Sequence, residues 1–156
     1  MKTLVVYTTI SGKSKAIAEK ISAILQADVE KIDDKRNRKG IFGFIRSGYE
    51  AKTKKLPPIG VPKKKTSAYD QVVFVCPIWA GTFASPVRTY CTNYCQKMKS
   101  VALFVTRGAK ENPFAGASAD LETLTGKKVK AFGSISASAD EQSLTKEITE
   151  FTQKLV

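Results

Sequence analysis

Apolar positions along this chain come in short runs, separated by stretches whose apolar residues recur at helical spacing. Residues 4–7 (Leu4-Val5-Val6-Tyr7), 71–76 and 101–105 are near-continuous runs of β-branched, aromatic and other apolar side chains. Runs of that length and composition read as strands buried on both faces. Residues 27–32 alternate and read as a shorter strand, and residues 129–135 as a last one. Between them, Ile17, Ile21, Ile24 and Leu25 share one face of a helix, and Phe42, Ile45, Tyr49 and Lys52 form a stripe along another over residues 40–55. Ser85 and Pro86 have the cap and first-turn chemistry of a third helix. A fourth, over residues 114–124, closes on Gly126, where a left-handed residue is wanted. Ser138 and Glu141 are spaced as a capping box for a final helix lined by Leu144, Ile148, Phe151 and Leu155. Residues 56–65, with three prolines and a glycine, form a surface loop.

Strands that alternate with helices predict an α/β fold, a doubly wound five-stranded parallel sheet with helices on both faces. The length of 156 residues suits a single domain, 1–156, with a core large enough to need no staples. In such sheets the ligand sits beyond the carboxyl ends of the strands, where the strand order reverses. Three loops fall at carboxyl ends and look specialised. The first, Thr8-Thr9-Ile10-Ser11-Gly12-Lys13-Ser14, sets four hydroxyls and an ammonium around a glycine just before a helix. Free N–H groups and the positive end of the helix dipole make such a place suited to an anion. It is not a P-loop, because Tyr7 stands where that pattern needs its first glycine. It also lacks the three-glycine dinucleotide pattern. The alternative is that these hydroxyls only cap the helix. The other two loops are Pro77-Ile78-Trp79-Ala80-Gly81 and Thr106-Arg107-Gly108.

Charge changes the picture in one region. The net charge is +12, and residues 31–65 hold twelve Lys/Arg against three Asp/Glu. Within the domain, residues 33–66 thus form a basic helix-plus-loop segment. It reads either as a solvated face or as a surface for an acidic protein or an anionic membrane. The apolar run Ile41-Phe42-Gly43-Phe44-Ile45 inside it is expected to be buried between helix and sheet. No recognised nucleic-acid module is present, so no specific nucleic-acid partner is expected. No apolar window is long enough to span a membrane, and the chain enters a strand at once, so neither a transmembrane segment nor a signal peptide is expected. Three cysteines (Cys76, Cys91 and Cys95) in no framework pattern suit a reducing, cytoplasmic setting and read as packing or partly exposed thiols. The absence of histidine removes the commonest general base and metal ligand. No metal site is expected.

The three loops in this order resemble the flavodoxin family. Thr9-Ile10-Ser11-Gly12-Lys13-Ser14 is similar to that family's phosphate loop. Pro77-Ile78-Trp79-Ala80-Gly81 resembles the loop that brings an aromatic to the flavin, and Thr106-Arg107-Gly108 the loop that passes its pyrimidine edge. Residues 43–51 also look like a segment of short flavodoxin-like proteins. The resemblance covers essentially the whole chain. It implies strand order 2-1-3-4-5, FMN as cofactor, and binding by Thr8 through Ser14, Pro77 through Gly81 and Thr106 through Gly108. It also implies an electron carrier between redox proteins, with no catalytic residue of its own, since a flavin carries its own electron chemistry.

Three features depart from the family pattern. Lys13 replaces an asparagine, the third loop has no aromatic, so that a second stacking wall falls to Phe83 or Phe114, and Arg107 brings positive charge where the family tends to avoid it. From there Arg107 is expected to favour the anionic reduced ring. Two other functions remain open: an NAD(P)H-dependent FMN or quinone reductase of the same fold, and a flavin-free basic adaptor.

Overall fold

The computed structural model describes residues 1–156. The elements in chain order are β1 (Thr3–Tyr7), α1 (Lys13–Leu25), β2 (Asp28–Lys31), α2 (Gly40–Lys52), β3 (Gln71–Trp79), β4 (Thr82–Phe83), α3 (Ser85–Tyr94), β5 (Val101–Arg107), α4 (Gly116–Thr125), β6 (Val129–Ser136) and α5 (Glu141–Gln153). Because successive strand residues point to opposite faces, β1, β3 and β5 each feed two cores. Leu4, Val6, Phe74, Cys76 and Leu103 pack with Val87 and Tyr90 of α3 and Leu121 of α4. On the other face Val5, Val73, Val75 and Phe104 meet Ile17 and Ile21 of α1 and Ile148 and Phe151 of α5. Gly133 of β6 leaves room for the edge-on contact of Phe104 with Phe151, centroids 5.2 Å apart. A Cβ at Gly133 would lie 2.4 Å from the Phe104 ring.

Five strands run parallel in the order β2-β1-β3-β5-β6. The sheet has a sixth strand that the apolar pattern does not announce: β4 pairs antiparallel with the end of β3, Ile78 opposite Phe83 and Trp79 opposite Thr82. Ala80 and Gly81 turn the chain between them with φ of 47° and 85°. Positive φ at both central residues is the two-residue hairpin geometry whose twist matches that of the strands.

Other expectations are corrected locally. The cap of α5 is Asp140, whose carboxylate accepts from the Ser143 N–H at 2.7 Å, while Ser138 bonds Ser136 instead of forming a capping box. An ionised carboxylate next to the first turn outcompetes a hydroxyl farther away. Ala84 caps α3, and Ser85 sits inside the first turn with its hydroxyl on Glu50. Ile24 of α1 is exposed. The largest departure is α2. Its stripe of Phe42, Ile45 and Tyr49 faces solvent, and so do Ile41 and Phe44, while Gly43, Ser47, Glu50 and Ala51 face inward. No helix is long and apolar enough to cross a membrane.

Candidate functional site

Strand register brings the three carboxyl-end loops side by side. Tyr7 lies opposite Val75, Pro77 opposite Thr106, and Arg107 opposite Ser136. The first loop leaves β1 at Thr8, a buried residue whose N–H donates to the Val75 carbonyl at 3.2 Å. Thr9 is half-buried and its hydroxyl accepts from the Gly12 N–H at 3.0 Å, which folds the loop back on itself. Ile10 and Ser11 stand out in solvent. Gly12 caps α1 at φ 91°, a left-handed conformation that favours glycine. Gly12 supplies no side-chain cap, the Ser11 hydroxyl accepts from the Lys13 N–H only at 3.5 Å, and the first turn of α1 contains no acidic residue. The N–H groups of Ser14 and Lys15 have no protein partner and lie at the positive end of the dipole.

Side chains lace the loops together. The hydroxyls of Ser14 and Thr106, both buried, share a hydrogen bond at 3.4 Å across the α1–β5 boundary. The Lys13 ammonium donates to the Ala137 carbonyl, and the Ala137 N–H donates to the Arg107 carbonyl at 2.7 Å. Arg107 does not reach out as a free cation. Its guanidinium donates to the Ser134 hydroxyl at 2.9 Å, to the Lys110 carbonyl at 2.7 Å and to the Ala109 carbonyl. Gly108 and the chain to Lys110 are thus pinned over the end of β5. These bonds clamp the guanidinium to its own loop, because a planar five-donor group satisfies several oxygens at once.

The hairpin of β3 and β4 carries Pro77, Ile78, Trp79, Ala80 and Gly81. Trp79 is half-buried, and the Arg38 guanidinium lies 5.0 Å from its ring centroid. The hairpin is held from the other side by Asp120 of α4, which accepts from the Thr82 hydroxyl at 2.6 Å and pairs with Arg88. Arg88 in turn covers the Phe83 ring at 4.6 Å. Phe83 is fully buried and cannot serve as a second aromatic wall. Phe114 is half-buried in a left-handed turn, φ 56°.

A cleft of about 700 Å³ lies on the β2 side of the first loop. Thr8, Thr9 and Ile10 form one wall; residues of the basic segment form the other. Lys31, Lys39, Lys63 and Lys64 line it without a carboxylate partner within 4.0 Å. At its floor Glu30 accepts from the Lys64 N–H at 2.7 Å and from the Tyr90 hydroxyl at 3.4 Å. In the sequence the local charge excess marks this region, but no motif singles out these outer-wall residues. The three cysteines are free and buried, and burial pushes the Cys76 thiol up to about 12. Such thiols are inert packing groups.

A doubly wound α/β sheet with a hydroxyl-rich helix start, an aromatic hairpin and a clamped arginine loop at one edge defines the class. The chain belongs to the flavodoxin family: the family model described as flavodoxin matches residues 2–150. Solved structures of similar fold include a candidate flavoprotein from Bacteroides eggerthii, 21% identical, with 96% of this chain and 97% of that one covered at a TM-score of 0.76. A flavoprotein from Lactobacillus acidophilus, solved in complex with FMN, is 19% identical over 94% of this chain and 97% of its own, TM-score 0.66. An oxidised flavodoxin from Bacillus cereus is 17% identical over 99% and 97%, TM-score 0.63. No curated protein matches this chain.

Proposed function

We propose that this chain binds FMN at the carboxyl edge of its sheet and carries electrons between larger redox proteins. One observation carries the reading: register and side-chain bonds gather the first loop, the Trp79 hairpin and the Arg107 loop at one edge of the sheet. The residues present suit the cofactor. A phosphate monoester needs donors and tolerates no nearby carboxylate. The first turn of α1 holds no carboxylate and leaves the Ser14 and Lys15 N–H groups without a partner. With Ser11, Lys13 and the open space above Gly12 it meets both needs. Thr8, Thr9, Ile10 and Ser14 shape that loop. Pro77 through Gly81 present the Trp79 ring, and Thr106 through Gly108 line the opposite side. When bound, FMN supplies the electron chemistry, so the protein has only to hold it, orient it and limit water. Free, buried cysteines suit the reducing cytoplasm proposed as its setting.

A second reading, an NAD(P)H-dependent FMN or quinone reductase, is favoured by the lysine-lined cleft that abuts Thr8, Thr9 and Ile10. It offers room and charge for a second anionic molecule beside the first.

Trp79 is the chain's sole tryptophan, so its fluorescence reports on the site directly. Titration with FMN should quench it with equimolar stoichiometry and leave a yellow protein. Saturating FMN that leaves the emission untouched would overturn the proposal and favour the flavin-free adaptor. Turnover of NADH or NADPH with a quinone by the yellow protein would instead establish the reductase.

A further inference from the structure

Helix α2 is built inside out. Ile41, Phe42, Phe44, Ile45 and Tyr49 are 70%, 84%, 78%, 58% and 58% exposed. At helical spacing these five positions occupy one arc of about 160°. The opposite arc is small or polar, and it is committed. Gly43 lies so close to the main chain of Arg38 that a Cβ would come within 2.2 Å of its carbonyl carbon. Ser47 and Glu50 both accept from the Arg38 guanidinium, at 3.3 and 2.7 Å, and Glu50 also accepts from Ser85 at 3.1 Å. Rotating the helix to bury its aromatic side would break that buried ion pair, so the apolar ridge stays in water. A ridge of this kind marks a docking surface.

The charge around it selects the occupant. The only carboxylate of α2, Glu50, is buried, whereas Lys39, Arg46, Lys52 and Lys55 are exposed and form no ion pair within 4.0 Å. Beside the ridge a hollow of about 430 Å³ is lined by Arg36, Arg46, Tyr49, Lys55 and Glu50, the carboxylate of Glu50 being already paired with Arg36 and Arg38. A second copy docking on this face would set these cations against their own images. A convex helix with Phe and Ile along its crest, Arg46 on its flank and Lys52 at the carboxyl end of the same stripe has the form of an interfacial helix. Anionic headgroups meet the flanks while the crest enters the acyl boundary.

We propose that α2 docks this protein onto an anionic phospholipid surface, inserting Ile41, Phe42, Phe44 and Ile45 and holding headgroup phosphates with Arg46, Lys52 and Lys55. The proposal stands whether or not the site holds FMN. Arg38 links the underside of α2 to Trp79, so a docked helix keeps the hairpin in a fixed relation to the membrane.

The full-length protein, with and without FMN, is sedimented with vesicles of phosphatidylcholine alone or mixed with equal parts of phosphatidylglycerol. Binding is expected only to the mixed vesicles, with release as salt rises. The Phe42→Ser/Phe44→Ser double variant should lose about tenfold or more of that binding. Its circular dichroism and thermal midpoint should stay unchanged, because both rings lie outside the core. Arg46→Glu should weaken binding in the same direction without touching the crest. Failure to pellet with mixed vesicles overturns the proposal and leaves the ridge to an acidic protein. Equal binding to both vesicle types, or binding that survives the double variant, overturns it as well. A dimer that the same variant dissociates, with no vesicle binding, assigns the ridge to self-association.

Discussion

The Arg38 guanidinium sits 5.0 Å from the centre of the Trp79 ring while its N–H groups donate to Asp34 at 2.8 Å and Glu50 at 2.7 Å. The side chains of Arg38 and Glu50 are each 6% exposed. Burial alone would lower the Arg38 pKa, but hydrogen bonds and charge from Asp34 and Glu50 outweigh it and hold the group above its ordinary value. A permanent cation therefore lies against the tryptophan, positioned by the polar underside of α2. Any ligand that stacks on Trp79 meets a ring already facing positive charge.

Glu50→Gln keeps the shape of that network and removes one anion from it. A buried cation losing a partner costs about 3 kcal/mol, here softened by Asp34. The expected outcome is a urea midpoint lowered to match, with an unchanged slope. Trp79 emission should shift as Arg38 moves. An unchanged midpoint would mean that Asp34 and solvent already satisfy Arg38.

Lys13 links the start of α1 to the Ala137 carbonyl and is the sole full charge in the first loop. If it also serves the FMN phosphate, Lys13→Ala should weaken FMN binding about tenfold, as loss of one charge-assisted hydrogen bond does. The salt dependence of binding should flatten with it. Equal affinity for the two proteins, measured by Trp79 quenching, would confine Lys13 to tying the loops together.

Those loops were legible in the sequence because their chemistry is local. Hydroxyls around Gly12, Trp79 between Pro77 and Gly81, and Arg107 before Gly108 each announce a specialised turn at a strand end. Five strands were legible for the same reason, as uninterrupted apolar runs. The strand β4 was not, since two residues carry no periodicity and only the Ala80-Gly81 pair hints at a hairpin. The orientation of α2 was lost for a different reason. Its periodic apolar stripe is real, but Arg38, Glu50 and Ser85 are brought together by tertiary contacts that no local window contains. Arg107 was placed on the correct strand end, yet its partners Ser134 and Lys110 belong to another strand and to the loop's own fold.

Acid should reveal how the Trp79 hairpin is anchored. Burial pushes the Asp120 carboxyl up, but hydrogen bonds from Arg88 and Thr82, with the charges of Arg88 and Lys54, bring it below its ordinary 3.8. A native carboxylate with a lowered pKa binds fewer protons than its unfolded counterpart, so its stabilisation is full above 3.8 and is lost as pH falls through the native value. Asp28, Asp70, Glu122 and Asp140 are lowered as well, each chiefly by one hydrogen bond, from the Tyr69 hydroxyl and from the N–H groups of Lys2, Val129 and Ser143 respectively. The acid limb of the unmodified protein is therefore composite. Asp120→Asn should be less stable near neutral pH, and the gap should narrow below 3.8. Urea midpoints across that range check it, and a gap that stays constant would remove Asp120 from the acid limb.

Two glycines of α2 separate a packing constraint from a propensity cost. At Gly48 a Cβ would meet nothing within 4 Å. Alanine there should stabilise the protein by about 0.5–1 kcal/mol, because glycine loses more backbone freedom on entering a helix. At Gly43 the same methyl would lie 2.2 Å from the carbonyl carbon of Arg38 and 2.3 Å from its oxygen. Main chain cannot swing aside as a long side chain can, so α2 has to lift from the segment that presents Arg38. Gly43→Ala should therefore cost about 2 kcal/mol or more and disturb Trp79 emission in the same direction as Glu50→Gln. Thermal and urea unfolding of the two variants decide the point. If both stabilise, α2 rides loosely on the molecule and the Arg38 network does not fix its orientation. If Gly43→Ala alone destabilises, the close approach at Arg38 is what turns the aromatic face of the helix outward.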